Sequence, residues 1–176
     1  MKDVYNSLIE NLKEKFAKIS LLILDFDGTL TNNKVYVSQD GKEYIRADRG
    51  DGLGLEYLKK YTKVKIIILS REKNPVTMAR AKKLGIPCIH GLKDKSSIFK
   101  EEIKNYEVKS EEVCFVGNDI NDLKCIKDAG LGVGVADAHF LILKEADYIT
   151  IKKGGEGAVR EVCELIMYAK KVHPFI

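Results

Sequence analysis

No cysteine pair in this chain has the spacing of a metal knuckle or a redox motif. Cys88, Cys114, Cys125 and Cys163 are scattered, with no Cys-x-x-Cys among them. Cys114 and Cys163 stand inside apolar runs, where a thiol acts as a small core residue. That usage suits a reducing compartment, and a cytoplasmic location is expected. No apolar run approaches the ~20 residues of a membrane span, and the charged first residues lack the apolar core of a signal peptide. No Lys/Arg block interleaves with aromatics, and the net charge of +4 is a thin excess spread over many Lys and Glu residues. This is the pattern of a solvated surface and argues against nucleic acid as a partner. Internal repeats and low-complexity segments are lacking as well. What is present, 176 residues with 45% hydrophobic content, suffices for one core. A single domain over 1–176 is expected.

The chain is organised around Leu21-Leu22-Ile23-Leu24-Asp25-Phe26-Asp27-Gly28-Thr29-Leu30-Thr31. Four aliphatic residues in a row predict a strand buried on both faces, as in parallel sheets. It ends in two carboxylates one residue apart, with Gly28 and Thr29 opening a turn. Like charges at close range repel and shift each other's pKa; a bound cation removes that penalty. In open α/β sheets chemistry collects at the carboxyl ends of strands.

The remaining elements alternate. Residues 3–18 place Leu8, Leu12 and Phe16 at helical spacing and predict one amphipathic helix. Val35, Tyr36, Val37, Tyr44 and Ile45, around Asp40-Gly41, predict a β-hairpin over about 33–47. A helix follows Asp48. Asp51 is its N-cap or first-turn acid, or else a functional residue. Arg49 faces either an anionic substrate or solvent. Further apolar strands are expected at Val64–Leu69, Ile86–Ile89, Val113–Val116, Gly132–Val135 and Tyr148–Thr150. Ser70 sits at a strand end, where a hydroxyl can donate to a phosphoryl oxygen or cap the helix before Pro75. A lysine at a helix N-terminus opposes the macrodipole, so Lys95 has a possible reason to be there, with Lys93 in competition. Asn118, Asp119 and Asp122 form an acidic loop after the fourth strand. His139 reads as a solvent or capping histidine. Gly154, Gly155 and Gly157 precede a last helix, the tail and helix covering about 152–171. Glycines cost chain entropy, so they are expected to let backbone approach a ligand or a neighbouring subunit.

Asp25-Phe26-Asp27-Gly28-Thr29-Leu30, Ser70, Lys95 and Gly117-Asn118-Asp119 with Asp122 resemble, in this order, the four motifs of the haloacid dehalogenase superfamily of phosphotransferases. The resemblance implies a Rossmann-like, doubly wound, mainly parallel α/β sheet. It implies Asp25 as the nucleophile that forms an aspartyl-phosphate, Asp27 as general acid and base, and Ser70 and Lys95 as phosphoryl-binding partners. It also implies Mg²⁺, with Asp25, Asp27 (through its carbonyl) and Asp119 as ligands and Asn118 or Asp122 orienting them. The chemistry is coherent: a carboxylate nucleophile splits one displacement into two, and Mg²⁺ favours oxygen ligands while keeping waters.

Many members insert a cap domain after the first strand; this chain has room only for the hairpin. The resemblance is greatest to small uncapped phosphatases of 2-keto-3-deoxy sugar-acid phosphates, which are homotetramers in which hairpins and tails complete neighbouring sites. Arg49, Asp51, Gly52, Glu72, Lys73 and Arg80 are the substrate-side candidates. Ser70-Arg71-Glu72-Lys73 departs from the Thr-Gly-Arg typical of octulosonate enzymes. Glu72-Lys73 at this place resembles the nonulosonate type, which implies a nonulosonate 9-phosphate as substrate, with 3-deoxy-manno-octulosonate 8-phosphate as the alternative. A non-catalytic oligomerisation module, like the C-terminal domain of some acylneuraminate cytidylyltransferases, is the second alternative; retention of Asp25 and Asp27 opposes it.

Overall fold

The aliphatic runs form a six-stranded sheet in which every neighbouring pair is parallel. The computed structural model describes residues 2–175. The sheet strands are β1 (Leu21–Leu24), β4 (Lys65–Leu69), β5 (Cys88–Ile89), β6 (Val113–Gly117), β7 (Leu131–Gly134) and β8 (Tyr148–Ile149). β2 (Thr31–Val37) and β3 (Glu43–Ala47) form a separate antiparallel hairpin. The helices are α1 (Lys2–Ile9), α2 (Lys13–Lys18), α3 (Arg49–Tyr61), α4 (Pro75–Leu84), α5 (Lys95–Asn105), α6 (Leu123–Asp128), α7 (Phe140–Glu145) and α8 (Ala158–Ala169).

Across the sheet the order is β5-β4-β1-β6-β7-β8. The chain builds outward from β1 to β5, then returns to the other side of β1 and builds outward again. The reversal lies between β1 and β6, and the carboxyl ends of those two strands flank the crevice where such sheets bind ligands. All four residues of β1 and all five of β6 are buried, as covering both faces requires. Phe99 of α5 meets Phe115 edge-on at 5.9 Å and Phe16 of α2 meets Tyr148 at 5.7 Å, so both helices dock on the sheet through aromatic rings. Cys114, Cys125 and Cys163 are buried, Cys88 is half-buried, and all are free thiols. Among the described residues no helix is long and apolar enough to cross a membrane.

Two local expectations change. The single helix over 3–18 is broken: Leu12 N–H donates to the Ile9 carbonyl at 2.8 Å, and the chain turns before α2. The break serves two anchors in different places, since Tyr5 stacks on Tyr168 of α8 while Phe16 enters the core beside Tyr148. Helix α4 is capped by Asn74, whose side chain accepts from Val76 N–H, and not by Ser70. α6 and α7, six residues each, escape a periodicity reading because they are too short to show one. His139 caps α7, its Nδ1 accepting from Leu141 N–H at 3.2 Å.

Candidate active site

The turn after β1 is built around one carbonyl. Phe26 C=O accepts from the N–H groups of Thr29, Leu30 and Thr31, which folds the chain tightly behind Asp25. Gly28 adopts φ +83°, and a Cβ there would lie 1.9 Å from Asn118 Nδ2. Glycine is therefore required twice, for its dihedral and for the close approach of the Asn118 amide. Thr29 Oγ1 donates to Asp25 Oδ2 at 3.3 Å, and Thr31 Oγ1 accepts from Gly28 N–H at 3.1 Å. The glycines before α8 lie against this turn. Gly155 N–H donates to Thr29 C=O at 2.9 Å, and a Cβ on Gly154 would meet the Gly28 carbonyl oxygen at 1.8 Å. The expected backbone approach is thus made to this chain's own Asp25 turn.

Lys95, the first residue of α5, is buried at 2% exposure, with its Nζ 2.5 Å from both Asp25 Oδ1 and Asp122 Oδ1. Of the two competing lysines, Lys95 reaches Asp25, while Lys93 lies exposed on the rim. Asp94 caps α5 by accepting from Ser96 N–H, and the two carboxylates offset the unfavourable helix end that Lys95 occupies. Burial alone would push the Lys95 ammonium down, but Asp25 and Asp122 hold it above the usual lysine range. Burial and the Asp122 charge push the Asp25 carboxyl up, with Lys95 pulling against them. Asp27 is also raised, by burial first and then by the Glu72 charge. A raised carboxyl is suited to carrying a proton.

Asp25, Asp27, Ser70, Glu72, Lys73, Lys93, Asn118 and Asp119 line one cleft of about 450 Å³. Ser70 is buried at the end of β4, its Oγ accepting from Glu72 N–H at 3.1 Å. Asp122 Oδ2 accepts from the N–H groups of Asn118 and Asp119, so it shapes the loop while its other oxygen holds Lys95. Asp119 is exposed, and its Oδ1 accepts from Ile120 N–H at 2.7 Å. Among the described residues no three His, Cys, Asp or Glu side chains converge as a metal site. The cleft does present three carboxyl-bearing residues, Asp25, Asp27 and Asp119. Such hard and incomplete oxygen sets fit a cation that keeps part of its water shell.

The other substrate-side candidates are distributed differently. Arg49, Gly52 and Arg80 line a separate depression between α3 and α4; Arg80 Nη2 donates to Asp48 C=O at 2.9 Å and ties the two helices together. Asp51 is fully buried in the first turn of α3, where Asp48 is the N-cap. Its Oδ1 accepts from Arg160 N–H at 2.8 Å, so it caps α8, an element 109 residues away. Burial pushes its carboxyl up to about 6 against the pull of the α8 N–H groups. Glu72 and Lys73 do line the cleft, but Glu72 Oε1 accepts from the backbone N–H groups of Lys73 and Asn74. Among the described residues no ion pair joins the two side chains. Asn33, Arg71 and Asn121 also line the cleft. Sequence patterning did not single them out; a break in the hairpin's alternation at Asn32-Asn33 was the available signal.

A family model described as haloacid dehalogenase-like hydrolase matches residues 55–162. The 3-deoxy-D-manno-octulosonate 8-phosphate phosphatase of Yersinia pestis is 34% identical over 167 residues, 94% of this chain and 89% of that protein. A crystal structure of the Yersinia pestis enzyme superposes with a TM-score of 0.91, at 34% identity over 94% of this chain and 90% of that one. The Moraxella catarrhalis enzyme of the same name, solved with magnesium ion, phosphate ion and KDO, gives 0.89 at 34% identity over 93% and 94%. The switch-point crevice, the buried Lys95 between two aspartates and these likenesses agree: the chain belongs to the haloacid dehalogenase-like hydrolases.

Proposed function

We propose that this chain is a Mg²⁺-dependent phosphomonoesterase acting on a phosphorylated 2-keto-3-deoxy sugar acid, 3-deoxy-D-manno-octulosonate 8-phosphate. The observation that carries the reading is the buried Asp25–Lys95–Asp122 cluster, whose Asp25 lines one cleft with Asp27, Ser70 and Asp119. Relatives that match over nearly their whole length bear this enzyme's name, and one of them was solved with the sugar acid, phosphate and magnesium.

Asp25 Oδ attacks phosphorus as the ester P–O bond breaks, and Asp27 gives its proton to the leaving alkoxide. Asp27 then takes a proton from water, which attacks the aspartyl-phosphate and releases Asp25 and inorganic phosphate. Lys95 favours the ionised form of Asp25 against the effect of burial and holds its Oδ1 in place. Ser70 offers a hydroxyl to a phosphoryl oxygen. Asp25, Asp119 and the Asp27 carbonyl would hold Mg²⁺, which supplies positive charge beside the phosphoryl oxygens when bound.

A second reading, a nonulosonate 9-phosphate, is favoured by Glu72 and Lys73 on the cleft wall, in a stretch where Ser70-Arg71-Glu72 departs from Thr-Gly-Arg at its second and third positions. The ratio of kcat/KM for the two sugar-acid phosphates decides between them. Asp25→Asn should abolish turnover of both while leaving the melting temperature within a few degrees; retained turnover overturns the nucleophile assignment, and an inactive wild type that still assembles favours the non-catalytic module.

The homotetramer is part of this proposal. Val35, Tyr36, Val37 and Tyr44 of the hairpin are each more than half exposed, and a two-stranded ribbon is marginal by itself in water. Sedimentation of the chain as a monomer at assay concentration overturns it.

A further inference from the structure

Asn33 holds an unusual backbone conformation at the rim of the cleft. Between Thr31↔Ala47 and Val35↔Ile45 the hairpin register shifts: four residue steps on β2 oppose two on β3. Asn33 stands inside this bulge at φ +59°. Among the described residues the other non-glycine positive-φ positions are Glu107 and Lys171. Those two follow the ends of α5 and α8, where a left-handed residue commonly terminates a helix. Asn33 terminates no helix. Its N–H donates to Thr31 Oγ1 at 3.2 Å, the same oxygen that accepts from Gly28 N–H, so the bulge is tied directly to the Asp25 turn.

Asn33 is exposed and lines the cleft with Asp25, Asp27, Ser70 and Lys73, and its carboxamide makes no hydrogen bond to any described residue. Bulges re-aim side chains beside active sites, and left-handed non-glycine residues collect where function requires them. Arg71, Lys73 and Lys93 on the same cleft are cations suited to anions, Glu72 is an anion, and Asn118 and Asn121 are further carboxamides. A carboxamide carries both donors and an acceptor and no charge, which matches alcohol hydroxyls.

We propose that Asn33 is a specificity-determining residue that reads a hydroxyl on the leaving-group side of a polyhydroxylated phosphate ester. This deepens the proposed function and rests on the cleft being a phosphomonoesterase site.

Asn33→Gly separates the side chain from the backbone, because glycine adopts positive φ without strain while the amide is lost. With Mg²⁺ present, kcat/KM of wild type and variant is measured on five esters. They are octulosonate 8-phosphate, nonulosonate 9-phosphate, glucose 6-phosphate, glycerol 3-phosphate and p-nitrophenyl phosphate, whose leaving group has no alcohol. The expected result is that the preference for the best hydroxylated ester over p-nitrophenyl phosphate falls by about tenfold, mainly through KM, as loss of one directed hydrogen bond predicts. An unchanged preference, with the variant equally active or simply more stable, overturns the proposal and makes Asn33 a stand-in for glycine. A wild type that prefers glucose 6-phosphate to both sugar acids sinks the substrate assignment instead, and the same ratio measured on glucose 6-phosphate still decides the role of Asn33.

Discussion

Removing the Lys95 ammonium while keeping its stem is the most demanding test of the buried cluster. Lys95→Met conserves an unbranched side chain of similar length, so packing changes little. What changes is charge: Asp25 and Asp122, each 2.5 Å from the lost Nζ and both inside the protein, are left facing each other. Breaking a buried pair by deleting one partner costs about 3–5 kcal/mol, at least a fifth of the ~5–15 kcal/mol that holds a typical domain folded. Asp122→Asn removes one negative charge and keeps an oxygen able to accept from Asn118 and Asp119 N–H. In that background deleting Lys95 should cost less, because one carboxylate and not two is stranded. The double variant is expected to fall short of the sum of the singles by about 1–3 kcal/mol. Urea unfolding at pH 7.5 without divalent cations, read as midpoint and slope, measures all four proteins. The reasoning fails if Lys95→Met unfolds within about 1 kcal/mol of wild type, or if the two substitutions add.

Asp51→Asn tests the carboxylate that caps α8. The folded group titrates near about 6 and its reference value is 3.8, a difference equivalent to about 3 kcal/mol. Because the folded value is raised, the group's stabilising contribution is fully present below pH about 4 and is lost as pH rises through about 6. The stability of wild type relative to Asp51→Asn should therefore decline by up to about 3 kcal/mol between pH 4 and 7; a flat difference refutes it. Gly154→Ala would place a Cβ 1.8 Å from the Gly28 carbonyl oxygen, and a fall in kcat of at least about tenfold is expected as the Asp25 turn shifts. Gly41→Ala, at φ +78° with open space around it, should cost about 1 kcal/mol and leave kcat alone. Equal kcat values for the two variants would show that the glycine loop does not support the turn.

Leu21–Leu24 with Asp25 and Asp27 was legible in the sequence, as were the other strand runs and the Asp40-Gly41 hairpin. Each is a local pattern, in which burial on both faces demands aliphatic runs and a tight turn demands particular residues. The order of the motif residues along the chain was legible for the same reason. Only the tertiary structure chose Lys95 over Lys93, since Lys95 opens α5 while Lys93 lies before its Asp94 cap, and which of them reaches Asp25 depends on where α5 docks. Asp51 was readable either as a helix-start acid or as a functional residue, and only the tertiary structure set it against the start of α8 and placed Arg49, Gly52 and Arg80 along a depression between α3 and α4. Partners 32 and 109 residues apart are set by crossover packing, which no local spacing encodes. The break between Ile9 and Lys13 likewise follows from two anchors in distant elements, Tyr168 and Tyr148. Sequence alone thus determined which chemical groups the strand ends carry; packing decided which of them meet, because a charge's partners are whatever the fold brings within a few ångströms.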